Sequence, residues 1–223
     1  DPEKDLCGFM LETFQGWGAV FYPNDYVKEI EKFAKKYILL LAFDEMQSGF
    51  GRTGENFAHE LYGIKPDIMG CGKAAGGGIL PVSFISGRDD IIRLLTPGSE
   101  GSTFGGYPLA SVVSVYAIKV LVDQKLSKNA RIRGTQLLEH FYDIQSEFPD
   151  KIKEVRGRGL LTAFEMHKAT HLDGHKVSVN LLSKGIYAKE THKTTIRLAP
   201  ALTISSDKIN CLLDGVRSVI QNI

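Results

Sequence analysis

Asp44 follows an uninterrupted apolar run at 38–43. Lys73 comes 29 positions later (73 − 44), past a second short apolar segment and before Gly76, Gly77 and Gly78. A carboxylate directly after a fully apolar strand stands at the strand's C-terminal edge, where open α/β sheets bind their ligands. If buried there, it needs a cationic partner. Glycines beside Lys73 allow backbone to approach a bound group closely. Taken singly, Asp44 reads as a helix N-cap or surface turn, and Lys73 as a solvated lysine. Together they supply an amine able to form a Schiff base and a carboxylate able to keep a ring nitrogen protonated, the two groups that pyridoxal chemistry requires of a protein.

The elements that must position this pair are alternating strands and helices. Residues 6–11 read as a buried strand that opens the chain in mid-domain, with no Met start, so further chain is expected upstream. Pro23, Asn24 and Asp25 give a turn and helix-start signal. Val27, Ile30 and Ala34 then share one helical face, and the helix is expected to end near Tyr37. Residues 38–43 read as a parallel strand covered on both faces, because no polar residue alternates with the apolar ones. Strand, helix and strand make a crossover unit. Short strands are expected at 67–71 and 82–86, separated by the glycine turn. Residues 108–125 are apolar nearly all round, as in a helix buried in a core or against another subunit. A more polar helix covers about 127–147, and the Phe148-Pro149-Asp150 break marks the expected boundary between domains 1–149 and 150–223. Beyond it the pattern predicts a strand near 160–166, a helix near 177–184 and a strand at 195–198. The last helix turns Ile209, Leu212, Leu213, Val216 and Ile220 inward. This is an α/β major domain followed by a small α+β domain.

Three segments in order, FDEMQSGFGRTG at 43–54, YGIKPDIMGCGKAAGGG at 62–78 and GSTFGGYPLA at 101–110, are flanked by LETFQG at 11–16 and RLAPAL at 197–202. They resemble the consecutive signatures of the class III pyridoxal-phosphate-dependent aminotransferases, the group that includes ornithine and 4-aminobutyrate aminotransferases. The resemblance runs across almost the whole chain and implies the C-terminal half of such a protein. That half would be a fold type I, aspartate aminotransferase-like major domain truncated at its N-terminal side, followed by the small C-terminal domain. The implied cofactor is pyridoxal 5'-phosphate, and the implied catalytic residues are Lys73, carrying it as a Schiff base, and Asp44, paired with the pyridinium nitrogen. Gln47 would hydrogen-bond the ring hydroxyl. Glu12 matches the acid of the family's acid-Pro-x-Gln-Gly motif and joins the cofactor-binding residues, although Thr13 replaces the proline. Thr103 would reach across a homodimer interface to the phosphate on the other subunit's cofactor. Arg197 resembles the family's substrate-carboxylate clamp, a role that suits a planar guanidinium.

Two departures stand out. Trp17 occupies the position where ornithine and 4-aminobutyrate aminotransferases carry an acid that pairs with the clamp arginine and switches it between substrates. An indole cannot neutralise a guanidinium, though it can stack on one beside the substrate, so the gating and the assignment to either substrate stay open. Tyr107 stands where the family has asparagine, and the sequence offers no physical account of it. In the family, the phosphate loop and the aromatic residue stacked on the ring lie in the other half, so this chain alone is expected to bind the cofactor poorly and to be inactive.

The implied reaction is transamination, moving an amino group from an amino acid or amine donor to a keto acid or aldehyde acceptor. A racemase or mutase on the same scaffold would use the same lysine and aspartate, and a non-catalytic half-domain is the alternative from another class. Lys plus Arg number 27 against 26 for Asp plus Glu, so no strong field draws the chain to nucleic acid or an anionic membrane. No apolar run approaches the roughly 20 residues of a bilayer span. Cys7, Cys71 and Cys211 are odd in number and widely spaced, which argues against a disulfide framework or zinc site. A cytoplasmic setting is expected, with an organellar targeting segment upstream left open. His167, His171 and His175 recur every four residues, but Asp173-Gly174 interrupts a helix there, so they read as a solvated loop rather than metal ligands. The glycine run fits neither GxGxxG nor GxxxxGK[ST], which gives no support to nucleotide binding.

Overall fold

The structure is a computed structural model that describes residues 1–168 and 174–223. In chain order it forms a single-turn helix α1 (Pro2–Asp5), strand β1 (Gly8–Glu12), a small hairpin of β2 (Phe14–Gln15) and β3 (Val20–Phe21), helix α2 (Asn24–Lys36) and strand β4 (Leu40–Asp44). Strands β5 (Ile68–Cys71) and β6 (Phe84–Gly87) follow, then the short helix α3 (Asp89–Ile92) and the long helix α4 (Pro108–Asp123). The remainder is α5 (Leu126–Glu147), β7 (Ile152–Arg158), β8 (Leu161–Met166), α6 (Gly174–Ser183), β9 (Lys189–Thr191), β10 (Thr195–Leu198) and α7 (Ser206–Gln221).

Packing divides the chain into two compact units. One comprises Asp1–Thr13, Tyr22–Phe50 and Glu55–Lys125, the other Phe14–Phe21, Gly51–Gly54 and Leu126–Ile223. This division falls earlier than the expected boundary at residue 150. The reason is α5, whose buried stripe of Ala130, Gly134, Leu137, Phe141 and Ile144 belongs to the core of the second unit. The Phe148-Pro149-Asp150 break is only the turn from α5 into β7.

The first unit is built on a sheet in the order β1-β4-β5-β6, with β1, β4 and β5 parallel and β6 antiparallel to β5. Helix α2 runs from the Pro23 turn to Tyr37 as expected. Asp25 in its first turn and Lys35 and Lys36 in its last complement the helix dipole. Its buried Val27 and half-buried Ile30 pack with Leu41, Phe43, Tyr62 and Ile64, while Phe9 and Leu11 of β1 extend the same cluster. One expectation fails here: the 38–43 run is not a strand covered on both faces. Ile38 adopts φ 55° and is 93% exposed, β4 starts at Leu40, and burial alternates along it, with Leu41 and Phe43 buried and Leu40 and Ala42 partly so. The α2 side holds a packed core. On the other face Met10 of β1 is 78% exposed. Helix α4 is apolar nearly all round, yet buries only Ser114 and Leu121, leaving Leu109, Val112, Val115, Tyr116 and Val122 in solvent.

The second unit has an antiparallel sheet in the order β7-β8-β10-β9. Its core joins Leu137, Phe141, Phe164, Leu181, Ile196 and Val216, and Phe14, Ala19, Leu161 and Ala163 form a second cluster with the β2–β3 hairpin. Strands β7 and β9 lie outside the pattern read from the sequence. In β7 only Ile152, Val155 and Gly157 are buried, between charged neighbours. Helix α6 starts at Gly174, so His175 is helical rather than in a loop, and its Nδ1 lies 3.1 Å from Glu190. His171 and Asp173 lie outside the described residues. No helix among the described residues is long and apolar enough to cross a membrane.

Candidate active site

The parallel register lines up one end of the first sheet. Glu12 pairs with Asp44 across β1 and β4, and Asp44 pairs with Gly70 across β4 and β5, so the three residues form one row near the strands' carboxyl ends. Lys73 lies three residues beyond Gly70, at the start of a 3-10 turn, Lys73–Gly76. Gly72 before it is fully extended, and a side chain there would collide with the Met46 sulfur. Lys73 itself has φ 45°, in the left-handed region that favours glycine.

Asp44 Oδ1 accepts the Met46 amide at 2.8 Å, which folds the following turn back over the carboxylate. Among the described residues neither Asp44 nor Lys73 forms an ion pair with each other or with any other group, and Lys73 is exposed. An acid and an amine left uncommitted at one sheet edge fit a cofactor that brings a protonated ring nitrogen and an aldehyde. Gln47 sits half-buried in the same turn as Asp44. Glu12 is exposed at the end of β1. Thr103 is exposed in the turn before α4, a turn closed by Gly105 N–H to Ser102 O at 3.0 Å and by Gly106 at φ 71°.

Between these groups lies Cys71, whose thiol is pushed up to about 11 by burial first and then by the Glu45 and Asp44 carboxylates. It stays a protonated, unreactive thiol at neutral pH. Glu45 carries no signal in the sequence beyond following Asp44, yet its carboxylate is fully buried. Its Oε1 accepts the His59 amide at 2.8 Å and its Oε2 the Ala58 amide at 3.0 Å.

Trp17 and Arg197 belong to the second unit. A guanidinium N–H of Arg197 donates to Gly16 O, the residue before Trp17. Arg197 is partly buried, that burial lowers its pKa, and no carboxylate among the described residues pairs with it. Arg156 is the contrast: it bonds Gly18 O at 2.8 Å and contacts Glu165 and Glu154, each at 3.1 Å. The Trp17 ring packs on His192 at 4.1 Å between centroids, so it is not stacked on an arginine. His192 and Lys193, both in the left-handed region, make the turn between β9 and β10 that brings this imidazole to the indole. Arg52, in the Gly51–Gly54 segment of the same unit, donates to Leu160 O and Pro200 O. Burial drops its pKa to about 10.

The sequence profile of the family described as aminotransferase class-III matches residues 2–220. The chain belongs to the class III aminotransferase family. Among class III relatives, it is 38% identical over 219 residues to the mitochondrial ornithine aminotransferase of Arabidopsis thaliana, covering 97% of this chain and 46% of that protein. It is 41% identical over 219 residues to ornithine aminotransferase 1 of Staphylococcus aureus, covering 98% of this chain and 54% of that protein. The crystal structure of the Toxoplasma gondii ornithine aminotransferase superposes on all of this chain and 52% of that one, with a TM-score of 0.94 and 34% identity. The chain spans about half the length of the curated relatives it matches. The fold is that of the pyridoxal-phosphate-dependent class III enzymes, a mixed α/β sheet unit of fold type I with its smaller companion.

Proposed function

We propose that the protein is a pyridoxal-phosphate-dependent transaminase in which Lys73 and Asp44 are the catalytic residues. The observation that carries this is the uncommitted pair: an amine and a carboxylate at the same edge of adjacent parallel strands, neither engaged in an ion pair. Pyridoxal 5'-phosphate, when bound, supplies the electron sink that stabilises negative charge at the amine-bearing carbon of a substrate. Lys73 Nζ would hold the cofactor through its aldehyde carbon and, once the substrate amine takes its place there, the freed lysine amine would accept the proton from the substrate carbon. Asp44 offers its carboxylate to the ring nitrogen while the Met46 amide fixes its orientation. Gln47 and Glu12 border the same edge and would add further cofactor contacts.

Arg197 receives a substrate carboxylate. It is partly buried, bonded to one backbone carbonyl and, among the described residues, opposed by no acid, so an incoming carboxylate meets a guanidinium that is partly desolvated and without a carboxylate partner. With Trp17 held on His192, no acid among the described residues stands there to close the clamp. Ornithine, named for the relatives, is therefore one donor to assay among several, and donors and acceptors bearing a carboxylate are favoured. The reading extends to a homodimer in which Thr103 reaches the partner's cofactor phosphate. What supports this is that Thr103 and the apolar faces of α4 are exposed in the chain by itself. Three free cysteines and a balanced charge suit a cytoplasmic enzyme.

Reduction of the cofactor-loaded protein with borohydride is expected to fix the cofactor on Lys73, and peptide mass spectrometry locates it. A label on any other lysine refutes the assignment. Lys73→Ala abolishes turnover with the fold retained, and Arg197→Ala raises the Michaelis constant for amino acids far more than for simple amines. Equal effects on both substrate types mean that Arg197 is structural.

A further inference from the structure

We propose that Glu45 is a positioning residue that sets the Asp44–Gln47 turn against the end of β5, an inference that rests on the transaminase reading above. Glu45 is fully buried, and an isolated carboxylate in such a place is strongly disfavoured unless its oxygens are saturated. Here they are. Oε1 accepts the His59 amide at 2.8 Å and lies 3.2 Å from His59 Nδ1, and Oε2 accepts the Ala58 amide at 3.0 Å and the Ser48 hydroxyl. The His59 ring is held in turn between Phe57, at 5.9 Å and 18°, and Phe43, at 6.5 Å and 28°.

The backbone of Glu45 adds two further ties. Its N–H donates to Gly70 O at 2.9 Å, extending the β4–β5 pairing toward Lys73, and its carbonyl accepts the Gly49 amide at 3.0 Å, closing the turn that carries Gln47. One residue thus joins three segments: the turn after Asp44, the strand that leads to Lys73 and the loop at 57–59. Hydrophobic packing could not do this, because the Ala58 and His59 amides and the Ser48 hydroxyl that converge on the side chain are all donors. A carboxylate alone among side chains of this size accepts from all of them. The amide of a glutamine would turn an NH2 toward a backbone N–H and push the turn away from the strand.

A mere staple and a positioning residue differ in what they disturb. The test compares Glu45→Gln and Ser48→Ala with the wild type, each in the full-length protein loaded with pyridoxal 5'-phosphate, by visible absorption of the bound cofactor, kcat, KM and thermal midpoint. Glu45→Gln is expected to shift the absorption band and lower kcat about 10²-fold, as displacement of a reacting geometry does, with KM for the amino donor within about twofold of wild type. Ser48→Ala removes one donor and leaves the carboxylate, so it shifts the band and kcat in the same direction by less, with a midpoint near wild type. A wild-type spectrum and kcat in Glu45→Gln, even with a lowered midpoint, would show a staple only and overturn the proposal. If Glu45→Gln does not fold, the same wild-type values in Ser48→Ala overturn it. A full-length wild-type protein that takes up no cofactor overturns the transaminase reading, and this assignment with it.

Discussion

In the second unit, α5 and α6 pack on the β7–β10 sheet and α7 packs on both helices. Leu137, Phe164, Leu181 and Ile196 are thereby sealed from solvent. In the first unit, α2 covers β4 with a handful of buried side chains, while Ile79, Phe104 and Val115 stand 75%, 79% and 65% exposed. The two units use their apolar residues differently. One spends them on its own core, whereas the other presents a large share to whatever covers it, as contiguous exposed apolar surface does at interaction sites. The proposed catalytic pair and the residues that orient it all belong to the unit that does not close on itself. Their geometry therefore depends on surfaces brought to them, and the second unit's geometry does not.

The largest effect that separates the units comes from truncating one apolar side chain in each. Phe164→Ala removes a wholly buried ring packed edge-on to Phe141 at 5.7 Å, at an expected cost of about 3–5 kcal/mol in denaturant unfolding. Val115→Ser on α4 is expected to change stability by less than about 0.5 kcal/mol and to reduce self-association in sedimentation. A large loss of stability in the monomer from Val115→Ser would mean that α4 is covered within the chain, and the contrast would disappear.

A smaller effect sharpens the first unit. Thr13 is buried, and its hydroxyl has no partner among the described residues, although its carbonyl accepts the Tyr62 hydroxyl at 2.7 Å. Thr13→Val keeps the shape and removes the unmatched hydroxyl, so it is expected to stabilise the protein by about 1 kcal/mol. Destabilisation by Thr13→Val would show that the hydroxyl is bonded in solution.

The smallest effect lies in the second unit and follows pH. The Lys153 ammonium first, and then Arg156, hold Glu165 below its ordinary carboxylate value. The folded state thus binds the Glu165 proton less readily than the unfolded chain. Its contribution is fully present above the ordinary value and is lost as pH falls through the depressed folded one. Because Lys153 is about half exposed, the contribution is under about 1 kcal/mol. Glu165→Gln should lower stability at neutral pH and flatten its acid limb, and an unchanged acid limb would assign that limb to other carboxylates.

Much of this arrangement is legible in the sequence, for identifiable reasons. Asp44 and Lys73 stand out as candidates because each comes just after an apolar segment and beside turn residues, and the bounds of α2 follow from Pro23 and the Val27–Ile30–Ala34 spacing. The all-round apolarity of α4 reads as a helix buried in a core or against another subunit, and in this chain most of its apolar side chains are exposed. Strand β7 escapes notice because Lys153, Glu154, Arg156 and Arg158 dominate its composition, while its inward positions are only Ile152, Val155 and Gly157. Glu45 escapes notice because two of its partners are backbone amides thirteen and fourteen residues away, and amides leave no mark on a residue pattern. The Trp17–His192 contact joins a hairpin to a turn that is distant in sequence, and no spacing rule relates them.

Lys73 occupies a backbone conformation that any residue with a β-carbon adopts at a cost of roughly 1–2 kcal/mol. Glycine is the residue that local folding energetics would select there, and the neighbouring positions show that the segment accepts it freely. A stability-driven redesign would therefore replace the one side chain the proposed chemistry cannot do without. On the proposed assignment the lysine is a local trade of stability for function, and optimisation of this loop for backbone energy alone is expected to raise the melting temperature and erase activity.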